Sequence, residues 1–305
     1  MTTPWYHQAC QSIDQGHIDQ AQNHQANLTK PLGSLGLLED IAVSFCAWQG
    51  TNLPCCDKIQ ISVFAGDHGV CKQRVSAFPQ EVTTQMIANF LSGGAAISVL
   101  AKNLNADLSV INMGVVVNID DAVNLHNINL MPGTEDFTES PAMSESIVQQ
   151  ALNAGAEQIL ADSELFIGGD MGIGNTTSAS AIYSLLLDLP PSMTVGPGTG
   201  VDQAGIEIKQ RVLKQAIELH QPMINSPLDV LQRVGGLEIA ALVGAYISSA
   251  QKGIPILVDG FITTAAALLA TEINPSTRDW MLFSHKSAEP AHYHALKAML
   301  SLIHI

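Results

Sequence analysis

Short apolar runs recur along the chain, and each ends in glycine plus a polar residue before a segment of helical character. A parallel sheet with crossover helices gives this pattern, because its strands are buried on both faces. The predicted strands are Ile59–Ala65, Leu108–Met113, Leu165–Gly168, Ile256–Val258 and Met281–Ser284. The predicted helices include Glu81–Leu91, Ser144–Leu160, Gly205–His220 and Leu237–Ala250. We therefore expect an α/β fold with a mostly parallel sheet and flanking helices.

Two segments depart from this pattern. Residues 1–50 are rich in Gln and Asn and contain a predicted helix, Leu37–Trp48, after the turn KPLGSLG. They predict a small helical accessory region beside an α/β domain of residues 51–305. The segment from Asn118 to Pro141 is poor in strand signals and carries several acids, so we expect a surface loop there.

Polar residues follow directly after four of the predicted strands. Ligands of open α/β sheets bind outside the carboxyl ends of the strands, so a functional surface is expected at this edge. The segments concerned are Gly66-Asp67-His68-Gly69, Gly169-Asp170-Met171-Gly172, Asp259-Gly260 and His285-Lys286-Ser287.

The composition narrows the class of protein. The 305 residues include 13 Lys and Arg against 28 Asp and Glu, for a formal net charge of −15. A protein that binds nucleic acid needs a concentrated basic surface, which this composition does not supply. With 13% charged residues and 47% hydrophobic ones, the chain is expected to bury a large core rather than remain disordered.

Localisation is predicted from three further features. The two most apolar stretches, Leu237 to Ala250 and Ile254 to Ala270, are interrupted by Glu238 and Asp259, which favours buried core over membrane. The amino terminus lacks a basic segment followed by an apolar one. Five cysteines without a CxxC pair are typical of reduced thiols. We expect a cytoplasmic protein.

Two glycine-rich segments predict a phosphate site. Residues 168–179 contain four glycines followed by Asn-Thr-Thr-Ser at the predicted start of a helix, where backbone N–H groups attract anions. The second segment, Gly196-Pro197-Gly198-Thr199-Gly200, precedes a helix bearing Lys209. Neither fits the P-loop or dinucleotide fingerprint. The alternative for the first is a tight turn in which Asn or Thr caps the helix.

Histidines leave further alternatives open. Asp67 beside His68 could serve acid–base or metal chemistry, or Asp67 could cap its turn while His68 hydrogen-bonds locally. His285, His292 and His294 lack a recognisable zinc spacing, so we expect no metal.

Eight motifs, in order over residues 30–292, resemble the nicotinate-nucleotide:dimethylbenzimidazole phosphoribosyltransferase family. They are KPLGSLG, FAGDHGV, VSAFPQEVT, GDMGIGNTT, GPGTGVD, GGLEIAALVGA, VDGFITTAAALLA and SHKSAEPAH. The resemblance implies a Rossmann-like, homodimeric enzyme without a cofactor, acting in cobalamin nucleotide-loop assembly. It would transfer the phosphoribosyl group of nicotinate mononucleotide to 5,6-dimethylbenzimidazole, giving α-ribazole 5′-phosphate and nicotinate.

The resemblance also implies roles for individual residues. Asp170 would face the ribose and the reacting centre in an auxiliary catalytic role, and Ser76 would lie near the benzimidazole pocket. The residues implied in substrate binding are Ser76, Gly172, Asn175, Gly198, Lys209, Asp259 and Ser287, of which Gly172, Gly198, Lys209 and Ser287 would surround the phosphate.

The chain departs from the family in two places. Asp170 stands where the family has Glu, so a shorter carboxylate must reach the same position. The family's general base is a Glu in an LGEGSGA-like motif, which we expect beyond Ile305 in a longer parent. Residues 300–305 resemble a translated transposon-adapter end. The expectation is a truncated chain with weak or absent activity.

Two alternatives remain at this stage. A phosphoribosyltransferase that uses phosphoribosyl pyrophosphate would employ the Asp259 loop, although Gly260 replaces the second acid of such loops. A non-catalytic nucleotide-binding relative would explain Asp170 and the missing base.

Overall fold

The structure, a computed structural model, describes residues 3–198 and 200–299. Within these residues six strands form one parallel sheet in the order β3-β2-β1-β4-β5-β6. The strands are β1 Ile59–Gly66, β2 Asp107–Gly114, β3 Leu125–Asn127, β4 Leu165–Met171, β5 Ile256–Val258 and β6 Met281–Phe283. The strand order reverses between β1 and β4, which is where open sheets of this Rossmann-like kind bind their ligands.

The helices connect the strands and cover both faces of the sheet. They are α1 Gln15–Ala26, α2 Leu37–Gln49, α3 Glu81–Leu91, α4 Ala96–Asn103, α5 Glu145–Glu157, α6 Asn175–Leu187, α7 Pro191–Thr194, α8 Gln203–His220, α9 Pro227–Val234, α10 Leu237–Lys252, α11 Phe261–Ile273 and α12 Pro290–Met299. Short 3-10 helices lie at Trp5–His7, Gly69–Gln73, Gln221–Met223 and Pro275–Trp280. The predicted α/β class is confirmed.

The larger core lies between the sheet and α5, α10 and α11. Leu237 to Ala250 of α10 is buried along its whole length, because the helix packs against α5, α11 and the sheet at once. Residues 265–270 of α11 are buried as well. Both stretches interpreted as core from the sequence are therefore in the core. A smaller apolar cluster lies under α3 and α4, around Val63 and Phe90.

The apolar segment Glu81–Asn103 has the length and hydropathy of a membrane span, with 28% of its most apolar window buried. The structure divides this segment into α3, of 11 residues, and α4, of 8 residues. At 1.5 Å rise per residue, α3 is about 16 Å long, roughly half the thickness of a bilayer core.

The predicted end of β4 is wrong. β4 continues to Met171, beyond the predicted end at Gly168, because Asp170 and Met171 pair in register with Phe64 and Ala65 of β1. This pairing outweighs the low strand propensity of Gly-Gly-Asp.

The segment predicted as a surface loop, 118–141, contains β3 and a buried stretch. Phe137 is fully buried, and Asp136 beside it accepts hydrogen bonds from the backbone N–H (3.0 Å) and the hydroxyl (2.8 Å) of Thr138. Because these polar groups are satisfied locally, the segment can enter the core.

The amino-terminal helices lie beside the β6 edge of the sheet. α1 packs against α2, and the Trp48 indole of α2 donates to the carbonyl of Asp279 (2.8 Å) and stacks on Trp280. A cleft of about 390 Å³ separates these helices from residues of β6 and from Met299. Residues 300–305, which the sequence predicted to be foreign, lie outside the described part of the chain.

Candidate active site

Asp170 and Asn175 lie at the switch point of the sheet, where β4 leads into α6. The Asn175 side-chain amide donates to Asp170 Oδ2 at 2.8 Å. Gly174 occupies the cap position of α6 without a side-chain cap, so the alternative in which Asn175 or a following Thr caps this helix is wrong. The asparagine instead fixes the orientation of the carboxyl group.

The electrostatics around Asp170 favour its neutral form. Burial raises its pKa to about 7, and the nearby acids Glu238 and Asp259 act in the same direction. The hydrogen bond from Asn175 and the charge of His68 oppose the shift. Near neutral pH this carboxyl group can therefore either hold or release a proton.

A buried His68–Glu238 pair lies directly beside Gly172. The two side chains are fully buried, and His68 Nε2 and Glu238 Oε1 are 2.7 Å apart. Burial alone lowers the pKa of His68, but the carboxylate of Glu238 outweighs it, so the pKa is raised. The alternative in which His68 bonds locally is wrong, because its partner is 170 residues away.

Gly172 is required by the close approach of the backbone of Gly66, at the end of β1. A Cβ at this position would lie 2.3 Å from the carbonyl oxygen of Gly66, 3.3 Å from His68 Nε2 and 3.4 Å from Glu238 Oε1. A side chain here would therefore push the turn after β4 away from the end of β1.

Asp67 joins three segments around the same turn. Its carboxylate accepts the hydroxyl of Thr83 in α3 (2.6 Å) and the backbone N–H of Val116 after β2 (2.8 Å). The Thr83 oxygen in turn accepts the backbone N–H of Ile173 at 3.2 Å. These partners are not in its own turn, so Asp67 cross-links α3, the end of β2 and the turn between β4 and α6.

A second group of predicted residues converges beside the start of α6. Lys209 of α8 is 3% exposed, and its Nζ donates to the Thr176 hydroxyl at 3.1 Å. A Cβ on Gly198 would lie 3.0 Å from the same Nζ. Burial lowers the pKa of Lys209, and the charge of Glu289 opposes the shift. A buried cation next to a glycine turn and a helix amino terminus is suited to binding an anion.

Ser287 belongs to the segment that follows β6. Its backbone N–H donates to Nδ1 of the buried His292 at 2.7 Å, and the other ring nitrogen of His292 is 2.9 Å from the Thr264 hydroxyl. Burial, followed by the charge of His285, lowers the pKa of His292 to about 4. Both nitrogens of this neutral ring are engaged, so His292 serves as an anchor rather than a metal ligand.

An apolar cavity of about 740 Å³ opens on the α3–α4 face of the sheet. Asp170 and the exposed Asp259, at the ends of β4 and β5, are among its lining residues, together with apolar side chains such as Phe90 and Ile167. Its size and its mixture of apolar walls with few polar groups suit a small aromatic ligand.

Ser76 lies in the loop that leads into α3. Its hydroxyl accepts the backbone N–H of Phe78 at 3.2 Å, and its side chain is partly exposed. The described contacts of Ser76 are local and do not join it to the residues around Asp170.

Sequence reasoning missed Glu238 and Thr176. Glu238 entered only as an interruption of an apolar stretch, although a lone acid in an otherwise buried helix signals a buried partner. Thr176 was one of several hydroxyl residues in its motif, and nothing in the sequence singled it out.

This arrangement defines a class of protein: a Rossmann-like enzyme with a titratable carboxyl group at its switch point and a buried lysine beside a glycine turn. A family model described as Phosphoribosyltransferase matches residues 10–302, and the chain belongs to that family.

Named relatives are similar over almost the whole chain. The nicotinate-nucleotide–dimethylbenzimidazole phosphoribosyltransferase of Pseudomonas putida strain F1 is 48% identical over 98% of this chain and 86% of its own length. The protein of the same name from Pseudomonas aeruginosa strain PAO1 is 47% identical with the same coverage. The crystal structure of CobT from Thermus thermophilus has a TM-score of 0.89 at 40% identity, covering 93% of this chain and 86% of that one.

Proposed function

We propose that this chain transfers the phosphoribosyl group of nicotinate mononucleotide to 5,6-dimethylbenzimidazole, forming α-ribazole 5′-phosphate and nicotinate for cobalamin biosynthesis. The observation that carries the proposal is the convergence of buried Lys209, Gly198 and Thr176 beside the turn that bears Asp170. The proteins named for this activity are 47–49% identical to the chain.

The proposed chemistry assigns separate tasks to the two groups of residues. Lys209, with Gly198 beside it, holds the phosphate and so fixes the ribose, and we assign Gly172 and Ser287 to the same phosphate. A benzimidazole nitrogen forms a bond to the anomeric carbon while the bond to nicotinate breaks, and the electron pair of that bond remains on the pyridine nitrogen. The configuration inverts, and the proton of the other benzimidazole nitrogen passes to water.

Asp170 stabilises this reaction from the ribose side. In its ionised form, the carboxylate offsets positive charge that develops at the anomeric carbon. Asn175 orients the carboxylate, and Asp259 lies on the rim of the apolar cavity, which we assign to the benzimidazole. Ser76 belongs to the loop before α3 and is assigned to the same pocket. No step requires a cofactor or metal.

The proposal includes a homodimer in the cytoplasm with small molecules as its partners, rather than nucleic acid or membrane. The net charge of −15 supports the exclusion of nucleic acid. The proposed division into residues 1–50 and 51–305 agrees with the position of α1 and α2 at the β6 edge. Sedimentation of the purified chain measures its oligomeric state.

The direct test incubates the purified chain with nicotinate mononucleotide and dimethylbenzimidazole and detects α-ribazole phosphate by chromatography. Calorimetric binding of the mononucleotide is measured separately, because binding and turnover report different parts of the site. A Lys209→Met chain is the matched variant and is expected to bind the mononucleotide more weakly. Product that forms only with phosphoribosyl pyrophosphate and Mg²⁺ would contradict the proposal.

A further inference from the structure

The segment between β6 and α12, residues 284–289, reaches across to the turn between α7 and α8. Glu289 makes the contact: its Oε1 accepts the backbone N–H of Gly198 at 2.9 Å. The two residues are 91 positions apart in the sequence. The carboxylate therefore joins two segments that neither strand pairing nor a shared helix holds together.

The second oxygen of Glu289 explains why position 196 is glycine. A Cβ on Gly196 would lie 2.0 Å from Glu289 Oε2 and 2.9 Å from Pro290 Cδ. An alanine would therefore displace the carboxylate from the turn. The contact between the turn and the carboxylate therefore depends on glycine at position 196.

The segment that bears Glu289 is itself anchored. The Glu289 backbone N–H donates to the Ser287 hydroxyl at 3.2 Å, and the Ser287 backbone N–H donates to His292. His292 is fully buried and bonds to Thr264 of α11. The segment that carries the carboxylate is thus held in place by hydrogen bonds to the buried His292. The turn at Gly198 is the part that the carboxylate positions.

Charge also favours this arrangement in the absence of substrate. Lys209 is almost fully buried, and a buried cation is costly without an anion nearby. Glu289 is the main charge that supports its protonated form. A carboxylate beside a phosphate nevertheless repels it, so the benefit of Glu289 to phosphate binding must come from geometry.

We propose that Glu289 is a positioning residue that holds the Gly196–Gly198 turn against Lys209 and Ser287 and so assembles the phosphate site from three separate segments. This inference rests on the proposed function, because it takes the phosphate of nicotinate mononucleotide as the ligand. Glu289 acts through the turn and does not touch the reacting atoms.

The test compares nicotinate mononucleotide with nicotinate riboside, which lacks the phosphate, by calorimetry. Glu289→Ala is expected to weaken binding of the mononucleotide about tenfold, the effect of one charge-assisted hydrogen bond, and to leave riboside binding unchanged. Glu289→Gln keeps an oxygen that can accept the Gly198 N–H and is expected to restore most of the affinity.

The matched control is Glu164→Ala. Glu164 also accepts backbone N–H groups, from Asp57 and Lys58, but at the amino ends of β1 and β4. Its loss is expected to leave the affinity for both ligands unchanged. Circular dichroism verifies that each variant is folded.

Four results would overturn the inference. Tighter binding of the mononucleotide or of inorganic phosphate by Glu289→Ala would mean that the carboxylate merely competes for the Gly198 N–H. Equal weakening for both ligands would indicate general disruption. If both Glu289 variants still bind the mononucleotide more tightly than the riboside, as the wild type does, the positioning role alone is refuted. If the wild-type chain itself binds the two ligands equally, the phosphate site and the proposed function are refuted together.

Discussion

Acidic residues occur at both ends of β1 and β4, and their surroundings are opposite. At the amino end, the Glu164 carboxylate accepts the backbone N–H of Asp57 (2.6 Å) and of Lys58 (3.0 Å) and the thiol of Cys55 (3.1 Å). These bonds, led by that of Lys58, lower its pKa. At the carboxyl end, Asp170 has a single side-chain donor, Asn175, and burial raises its pKa to about 7.

The difference shows what separates a structural acid from the proposed catalytic acid in this sheet. Where backbone donors surround the carboxylate, the charged form is stable and the group joins two strands. Where other acids and apolar groups surround it, the charge is destabilised and the group can exchange a proton near neutral pH. Variants at the two ends should therefore differ in the size of their effect on stability and in the pH dependence of that effect.

The largest effect is expected for Glu238→Ala at the carboxyl end. Removal of the carboxylate leaves His68 Nε2 buried without its partner at 2.7 Å. Removal of one partner from a buried pair of this kind typically lowers the free energy of unfolding by about 3–5 kcal/mol. Urea unfolding at pH 7.5 measures this loss. Replacement of both residues by apolar ones should cost less than the single change, and a single-variant loss below about 1 kcal/mol would contradict a structural role for the pair.

Asp170→Asn should stabilise the chain and do so in a pH-dependent way. The folded carboxyl group, with a pKa near 7 against an ordinary value of 3.8, binds a proton that the unfolded chain releases. The stability of the wild type therefore falls as the pH rises from about 4 to about 7. The variant avoids this loss and gains up to about 4 kcal/mol at pH 8.

Thermal unfolding from pH 5 to pH 8 provides the measurement, and the advantage of Asn should shrink toward pH 5. A stability difference that does not change with pH would mean that Asp170 titrates at its ordinary value. Glu164→Gln, at the opposite end of the strands, should show no such trend between pH 5 and pH 8. Because the folded pKa of Glu164 is lowered from 4.5, the stability linked to this carboxyl group changes only at lower pH.

A smaller effect is expected when a buried lysine and an exposed lysine are each replaced by Met. Lys209 is buried, and burial lowers its pKa, whereas Lys58 is exposed and its pKa is raised by its ion pair with Asp162. Lys209→Met should weaken binding of nicotinate mononucleotide by about 1.4 kcal/mol, or tenfold, without loss of stability. Lys58→Met should change neither property measurably. Calorimetry with the mononucleotide measures the affinity of each variant. Similar affinities for the two variants would contradict the assignment of Lys209 to the phosphate site.

A small effect on stability is expected for Glu164→Gln. An amide oxygen can still accept one backbone N–H, and Glu164 is only partly buried, so the cost at pH 7 should stay below about 1 kcal/mol. Urea unfolding measures it. A cost as large as that of Glu238→Ala would contradict the distinction between the two ends.

Much of the sheet could be predicted because its strands are apolar runs bounded by turn residues. β1 and β5 were predicted within one residue, whereas the end of β4 was missed. Gly168, Gly169 and Asp170 have low strand propensity, and their conformation comes from pairing with β1. Long-range pairing of this kind leaves no local signal.

The candidate site shows the same limit. Asp170, Gly198 and Lys209 could be proposed because they stand beside glycine-rich turns at strand or helix ends. The role of Glu238 was not predictable, because its partner, His68, lies far away in the sequence. Glu289 lies within the motif SHKSAEPAH, and its contact with Gly198 became visible only in three dimensions. The assigned binding roles remain predictions.

The contact between Glu289 and Gly198 also bears on how the protein is made. The end of β1 and Glu289 are about 220 residues apart, and a ribosome adding roughly 5–20 residues per second needs about 10–45 s to span them. Lys209 precedes Glu289 by about 80 residues, so for the last part of that interval, about 4–16 s, the nascent chain contains β1, β4 and Lys209 without the segment that completes the proposed phosphate site. The enzyme should therefore acquire its affinity for the nucleotide late in synthesis, after most of the sheet can already have formed.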